Sequence, residues 1–222
     1  VAQSGGDWQA LQPAMLVARR AAALARAMLA GRGARAISSI SLRLGPDLAP
    51  GRGPLLASAA VGALEGVVES ERLNLINART VAQSRGIELQ FAEIGAPPHP
   101  RAVEVCLTAA DDSVRIGGVA TTDAPPRFTR IGEFHVDVSI PEAHGTLIVL
   151  TNHDVPGVIG RVGTALGDAH VNIAEYHQAR LAEGGEALAV VDADGTVGDD
   201  VRRTLLALPD VLSATIVTFG AA

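Results

Sequence analysis

Residues 146–219 carry apolar runs and amphipathic stretches in an order that few folds accommodate. A strand is predicted over 146–151, a helix over 156–169 and a strand over 172–181. After a turn at Gly184-Gly185 come a strand over 187–193, a helix over 199–208 with Val201, Leu205 and Leu208 inward, and a last strand over 211–219. The order β-α-β-β-α-β is that of the ferredoxin-like split βαβ unit. Its first helix carries Gly157, Gly160, Gly163 and Gly167 as a stripe. A glycine costs a helix about 1 kcal/mol against alanine, so the stripe needs a reason. One reason is close approach of the helix to the sheet or to a neighbouring subunit. The other is direct contact with a ligand, which suits Gly157 best.

The preceding residues read as a separate α+β mixture. A helix is predicted over 8–30, with Leu11, Met15, Ala18, Ala22 and Ala25 at three- and four-residue steps and Gly31 and Gly33 beyond its end. A strand over 37–44 follows, then helices over 55–68 and 74–85, the latter stopped by Gly86. Strands are predicted over 87–94, 103–108, 114–120 and 127–138, the last as a hairpin turning at Gly132-Glu133. The expected fold class is α+β in two domains: an α/β domain over 1–143 and a βαββαβ domain over 144–222. Aromatics make up only 3% of the chain against 48% hydrophobic residues, so both cores must be built from Ala, Val, Leu and Ile.

Much chemistry is excluded. With a net charge of -6 and a pI near 5.5, a broad nucleic-acid footprint is not expected. Lysine is absent, which removes Schiff-base and Walker-type chemistry. Cys106 is the only cysteine and sits in an alternating strand pattern, so neither an intrachain disulfide nor an iron–sulfur centre can form. Gly31-Arg32-Gly33-Ala34-Arg35-Ala36 fits G-x-G-x-x-A, but it follows a helix and enters a strand, the reverse of the dinucleotide context. His135, His144, His153, His170 and His177 fall in the second half without a helical H-x-x-x-H pair, so no metal site is expected. Ser38, Ser39 and Ser41 have no base at defined spacing, and no catalytic residue is expected. No signal-peptide or membrane-span pattern is present, so a cytoplasmic protein without membrane partners is expected. The start at Val1, almost directly into a helix, reads as a piece of a longer polypeptide.

One corner stands apart. Asn152-His153-Asp154-Val155-Pro156-Gly157 joins a strand to a helix and places two small polar side chains at a helix N-terminus. Asp154 reads either as the N-cap of a helix opened by Pro156, which suits the first helical position, or as an acceptor for an ammonium group. Asn172 reads as an Asx-type turn before a strand or as a second ligand contact. In a split βαβ unit, Asn152, Asp154 and Asn172 are expected to converge near one helix N-terminus, which favours a carboxylate.

Asn152-x-Asp154-x-Pro156-Gly157-Val158-Ile159-Gly160 followed by Val171-Asn172-Ile173-Ala174 resembles an ACT domain. Upstream, Leu73-Asn74-Leu75-Ile76-Asn77-Ala78, Ser84-Arg85-Gly86-Ile87 and Ile131-Gly132-Glu133-Phe134-His135-Val136-Asp137-Val138 are similar to the allosteric substrate-binding domain of long-form D-3-phosphoglycerate dehydrogenases. The resemblance spans nearly the whole chain in order. It implies a regulatory, non-catalytic tail of an enzyme of L-serine biosynthesis, with NAD belonging to catalytic domains outside this segment and no cofactor of its own. It also implies L-serine held at an interface between two ACT domains for feedback inhibition. Asp154 would take the ammonium. Asn172, opposite and from a partner subunit, would take the carboxylate with backbone N–H groups, including that of Ile173. Asn152 would lie within reach of either, beside Pro156 and Gly157. The upstream domain implies an anion site for phosphate or a phosphorylated substrate. Arg127 and His135 match its basic positions, and Phe134 and Ser139 depart from it. Two other readings stay open: a free-standing ACT-type amino-acid sensor, and a regulatory fragment of an L-serine dehydratase, whose iron–sulfur cluster one cysteine cannot supply.

Overall fold

The computed structural model describes residues 5–34, 36–68, 73–141 and 144–220, with side chains from Trp8 onward. The chain divides at the Gly132-Glu133 turn into two compact units, 1–132 and 133–222. The boundary expected at 143/144 lies further on, between the sixth and seventh strands.

In the first unit, helix α1 (Gly5–Gly31) precedes strand β1 (Ser39–Leu44), and helices α2 (Arg52–Leu64) and α3 (Ala78–Ser84) lead to β2 (Glu88–Glu93). Strands β3 (Ala102–Ala109), β4 (Asp112–Val119) and β5 (Arg127–Ile131) extend the sheet, whose strands within this unit run in the order β2-β1-β3-β4-β5. β1 and β2 are parallel, joined by the helical crossover, and the other pairs are antiparallel. α2 starts and stops earlier than expected. Pro54 falls in its first turn, where a missing N–H costs no intrahelical bond. α3 starts four residues late because the Asn74 side chain accepts from the N–H groups of Ile76 and Asn77, holding a turn there.

α1 buries more than one stripe. Ala14, Val17, Ala18, Ala21, Ala22, Leu24 and Ala25 are all fully buried, since α2 covers one side and β3 and β4 another. Small residues allow this density. Gly62 of α2 lies so close to α1 that a Cβ there would stand 1.9 Å from the Arg19 carbonyl oxygen. Arg20 is drawn in as well, at 1% exposure, and burial with the adjacent Arg19 lowers its pKa to about 10 against the pull of Glu65.

The second unit contains β6 (Phe134–Ser139), then β7 (Gly145–His153), α4 (Val158–Asp168), β8 (Ile173–Arg180), β9 (Glu186–Ala193), α5 (Asp199–Leu206) and β10 (Val211–Phe219). Strands β7 to β10 form an antiparallel sheet ordered β10-β7-β9-β8, with the first strand of the repeat in the middle, as the ferredoxin-like fold requires. Ile148, Leu150 and Val191 of the sheet pack with Val158, Val162 and Leu166 of α4 and with Val201 and Leu205 of α5. No helix among the described residues is long and apolar enough to cross a membrane.

Candidate functional site

The polar corner forms where β7 gives way to α4. His153 donates its N–H to the Asp210 carbonyl at 2.9 Å, and Asp154 donates to the Gly185 carbonyl at 2.8 Å, so both flanking turns pin the strand end. The chain then tightens, with the Val155 N–H bonded to the His153 carbonyl at 2.9 Å. Gly157 sits at φ 89, a left-handed backbone that side chains rarely adopt. That residue is the N-cap of α4, which begins at Val158 rather than at Pro156. No side chain caps it. Of the two readings of Asp154, the cap of a helix opened by Pro156 is therefore excluded: the left-handed step at Gly157 intervenes.

The Asp154 carboxylate instead turns to the β8–β9 hairpin. Its Oδ2 accepts from Arg180 Nη1 at 3.2 Å and from the Gly184 N–H at 3.3 Å. Arg180 is largely exposed and Asp154 mostly buried. Asn152 lies beneath, 1% exposed. Its Nδ2 donates to the His153 carbonyl at 2.7 Å, while its buried Oδ1 has no hydrogen-bond partner among the described residues. An orphaned buried acceptor costs about 1–3 kcal/mol. The corner thus offers a carboxylate, an unsatisfied amide oxygen and the first N–H groups of an uncapped helix. The first two suit an ammonium and the last suit a carboxylate.

Asn172 is elsewhere. β8 pairs with β9 so that Ile173 faces Ala193, while Asn152 faces Ala187 on the same strand. Six residues of β9 separate the two levels, about 20 Å at 3.3 Å per residue. The expected convergence of Asn152, Asp154 and Asn172 within one chain is wrong. α4 runs back along the sheet and returns the chain to the end where β7 began. There the Asn172 amide donates to Asp194 Oδ2, and its carbonyl accepts the Asp194 N–H at 3.1 Å. Ile173, half-buried, opens β8 beside it.

Of the readings of the glycine stripe, close approach to the sheet of the same chain is corrected. A Cβ on Gly160, Gly163 or Gly167 would meet nothing within 4 Å, so these glycines do not admit the helix to its sheet. They leave an open strip on its outer side, next to Ile159 at 51% exposure. Arg127 begins β5 half-buried, and His135 is exposed on β6 between buried Phe134 and Val136. Among the described residues no group of three His, Cys, Asp or Glu is placed to hold a metal ion.

Sequence reading missed Arg180, which no motif marks. It stands at the Asn152 level because its partner on β9 is Ala187, and only the strand order reveals that. It missed the Arg161–Asp210 ion pair at 2.8 Å for the same reason.

Comparison with known proteins is decisive for the second unit, where residues 146–210 match the ACT domain family. Residues 146–210 are an ACT domain. Most of the chain is homologous to the C-terminal regulatory region of D-3-phosphoglycerate dehydrogenases. It is 26% identical to that of Methanocaldococcus jannaschii over 208 residues, 93% of this chain and 38% of the relative. The Mycobacterium tuberculosis protein is 29% identical over 182 residues, 81% of this chain and 34% of the relative. The Bacillus subtilis protein is 30% identical over 149 residues, 65% of this chain and 27% of the relative. The chain spans about a third of the length of these relatives, and the ACT corner at Asn152–Gly157 lies inside the family match.

Proposed function

We propose that this chain is the non-catalytic regulatory segment of a D-3-phosphoglycerate dehydrogenase, and that its ACT domain binds L-serine between two copies for feedback inhibition. The observation that carries this reading is the homology, which runs through both units to one region of those dehydrogenases and includes the ACT domain. The NAD and the hydride chemistry belong to the parent enzyme's other domains.

The corner supports the ligand assignment. The ammonium of serine finds Asp154 and the vacant Oδ1 of Asn152, and its carboxylate finds the N–H groups that open α4 at Gly157 and Val158. Pro156 sets the approach to that turn. Asn172 and Ile173, about 20 Å away along the sheet, complete the site only from a second copy. The open strip of Gly160, Gly163 and Gly167 gives that copy room to lie close. A ligand shared by two copies favours whichever arrangement brings corner and Asn172 together, and inhibition follows from that differential affinity.

Calorimetry tests this with L-serine, D-serine and glycine. L-serine should bind in the millimolar range or tighter. Asp154→Ala should weaken it at least tenfold, since a charge-assisted hydrogen bond contributes about 1.5–3 kcal/mol. Asn172→Ala should weaken it as well. Mixing the two variants should restore one intact site in each mixed pair. Absence of L-serine binding refutes the reading, and failure of the mixture to regain any site refutes the two-copy arrangement.

A further inference from the structure

The first unit holds a cavity of about 260 Å³ that the regulatory reading does not use. Leu29 of α1, Ile37 and Ile87 beside the sheet, and Leu64 and Val67 at the end of α2 give it aliphatic walls, and the side chains of Arg26 and Arg85 enter the same lining. A partly buried guanidinium against aliphatic walls, as at Arg26, is costly unless something negative joins it.

Among the described residues, local carboxylates do not supply it. The carboxylate near Arg26 is Glu65, and Glu65 Oε1 already accepts from Arg19 Nε. Arg26 Nε is buried and has no hydrogen-bond partner among the described residues. Burial lowers the Arg26 pKa, with Glu65 opposing only in part, which marks the guanidinium as under-compensated. Arg85 caps the end of α3, exposed, so one wall of the cavity remains open to entry.

We propose that this cavity is a binding site for a small organic carboxylate with an apolar body, whose carboxylate pairs with Arg26 and Arg85. The planar fork of a guanidinium matches a carboxylate's two oxygens. The volume decides the size. At about 30 Å³ per water-sized group the cavity takes roughly nine heavy atoms, the size of a six-carbon acid. The walls decide against inorganic phosphate, whose remaining oxygens would face Leu29, Leu64 and Ile87 without donors.

The test is calorimetry on the full chain with hexanoate, hexan-1-ol and inorganic phosphate. Hexanoate should bind at least tenfold more tightly than the alcohol, and phosphate should not compete with it. Arg26→Met keeps the aliphatic stem and removes the charge, and should weaken hexanoate at least tenfold. Arg85→Gln, on an exposed residue that folding does not need, should weaken it several-fold and keeps the test available should the Arg26 variant fail to fold. Ala36→Leu, which fills part of the cavity, should weaken it without changing charge. Equal binding of alcohol and acid, displacement by phosphate, or variants that bind hexanoate unchanged would each overturn the assignment.

Discussion

The same chemical change, glycine to alanine in a helix, should carry opposite signs at Gly62 and Gly163. In isolation the substitution gains about 1 kcal/mol at either site. At Gly163 nothing stands within 4 Å of the added methyl, so a single chain should keep that gain. At Gly62 the methyl would lie 1.9 Å from the Arg19 carbonyl oxygen and 2.8 Å from its carbon. Backbone atoms of a neighbouring helix cannot swing aside, so α1 and α2 must part by more than 1 Å. A gap of 0.5–1 Å already forfeits roughly a quarter to a half of each van der Waals contact, and overpacking of this kind costs about 1–3 kcal/mol. A clash of 1.9 Å with backbone calls for the upper half of that range, and against the helix gain of about 1 kcal/mol the net loss at Gly62 should be about 1–2 kcal/mol, a fall in Tm of several degrees. Thermal and urea denaturation followed by circular dichroism measure both. A neutral or stabilising Gly62→Ala would show that the α1–α2 contact is not as close as described. A Gly163→Ala that stabilises dilute protein and loses the gain at high concentration would place a second copy on the strip. Destabilisation independent of concentration would refute the open strip itself.

Three further outcomes follow from the second unit. Gly157→Ala should cost about 1–2 kcal/mol because alanine must enter the left-handed region at φ 89, read as a lower urea midpoint together with weaker L-serine binding. Arg180→Ala should change stability by about 1 kcal/mol or less, because the Arg180 end of the pair stands in water. It should tighten L-serine binding by freeing Asp154, and weaker binding would instead make Arg180 a ligand contact. Asp192 is held above the ordinary carboxylate value of 3.8, first by burial and then by Glu175 and Asp194. The fold therefore prefers its protonated form, and its contribution is present below the unfolded pKa and lost as pH rises through the folded one. Asp192→Asn should raise Tm at pH 7 and lose that advantage near pH 3, and an advantage that grows on acidification would reverse the sign of the coupling.

What the sequence disclosed is what adjacent residues decide. The alternation in 211–219 and the steps of Val201 and Leu205 gave β10 and α5 to within two residues, because side-chain period is a local property. Local preference failed where two preferences competed within a few residues. Pro156 suits a first helical position, yet Gly157 takes the left-handed step and starts α4 one residue after itself. Asn74 looks like part of a helix, yet its side chain takes the N–H groups a helix start would leave free. The arginines of α1 were invisible for a different reason: charge in a helix reads as exposure, while Arg20 is 1% exposed because helix and sheet enclose α1 on both sides.

The largest error, the convergence of Asn172 on the Asp154 corner, has the most physical content. A helix that follows a strand and runs back along it returns the chain toward the end where the strand began, so the residue opening the next strand must lie at the far end of the sheet. The residue that does reach the corner is the last of that strand, Arg180, placed there by pairing with Ala187. A single ACT domain therefore sets a cation, not an amide, against Asp154. On the proposed reading, replacing that cation with the ammonium of an amino acid exchanges one charge for another at little electrostatic cost. If the corner takes an amino acid as proposed, the resting ion pair is a stand-in for the ligand, and the affinity is set by the difference between the two cations rather than by the charge of Asp154 alone.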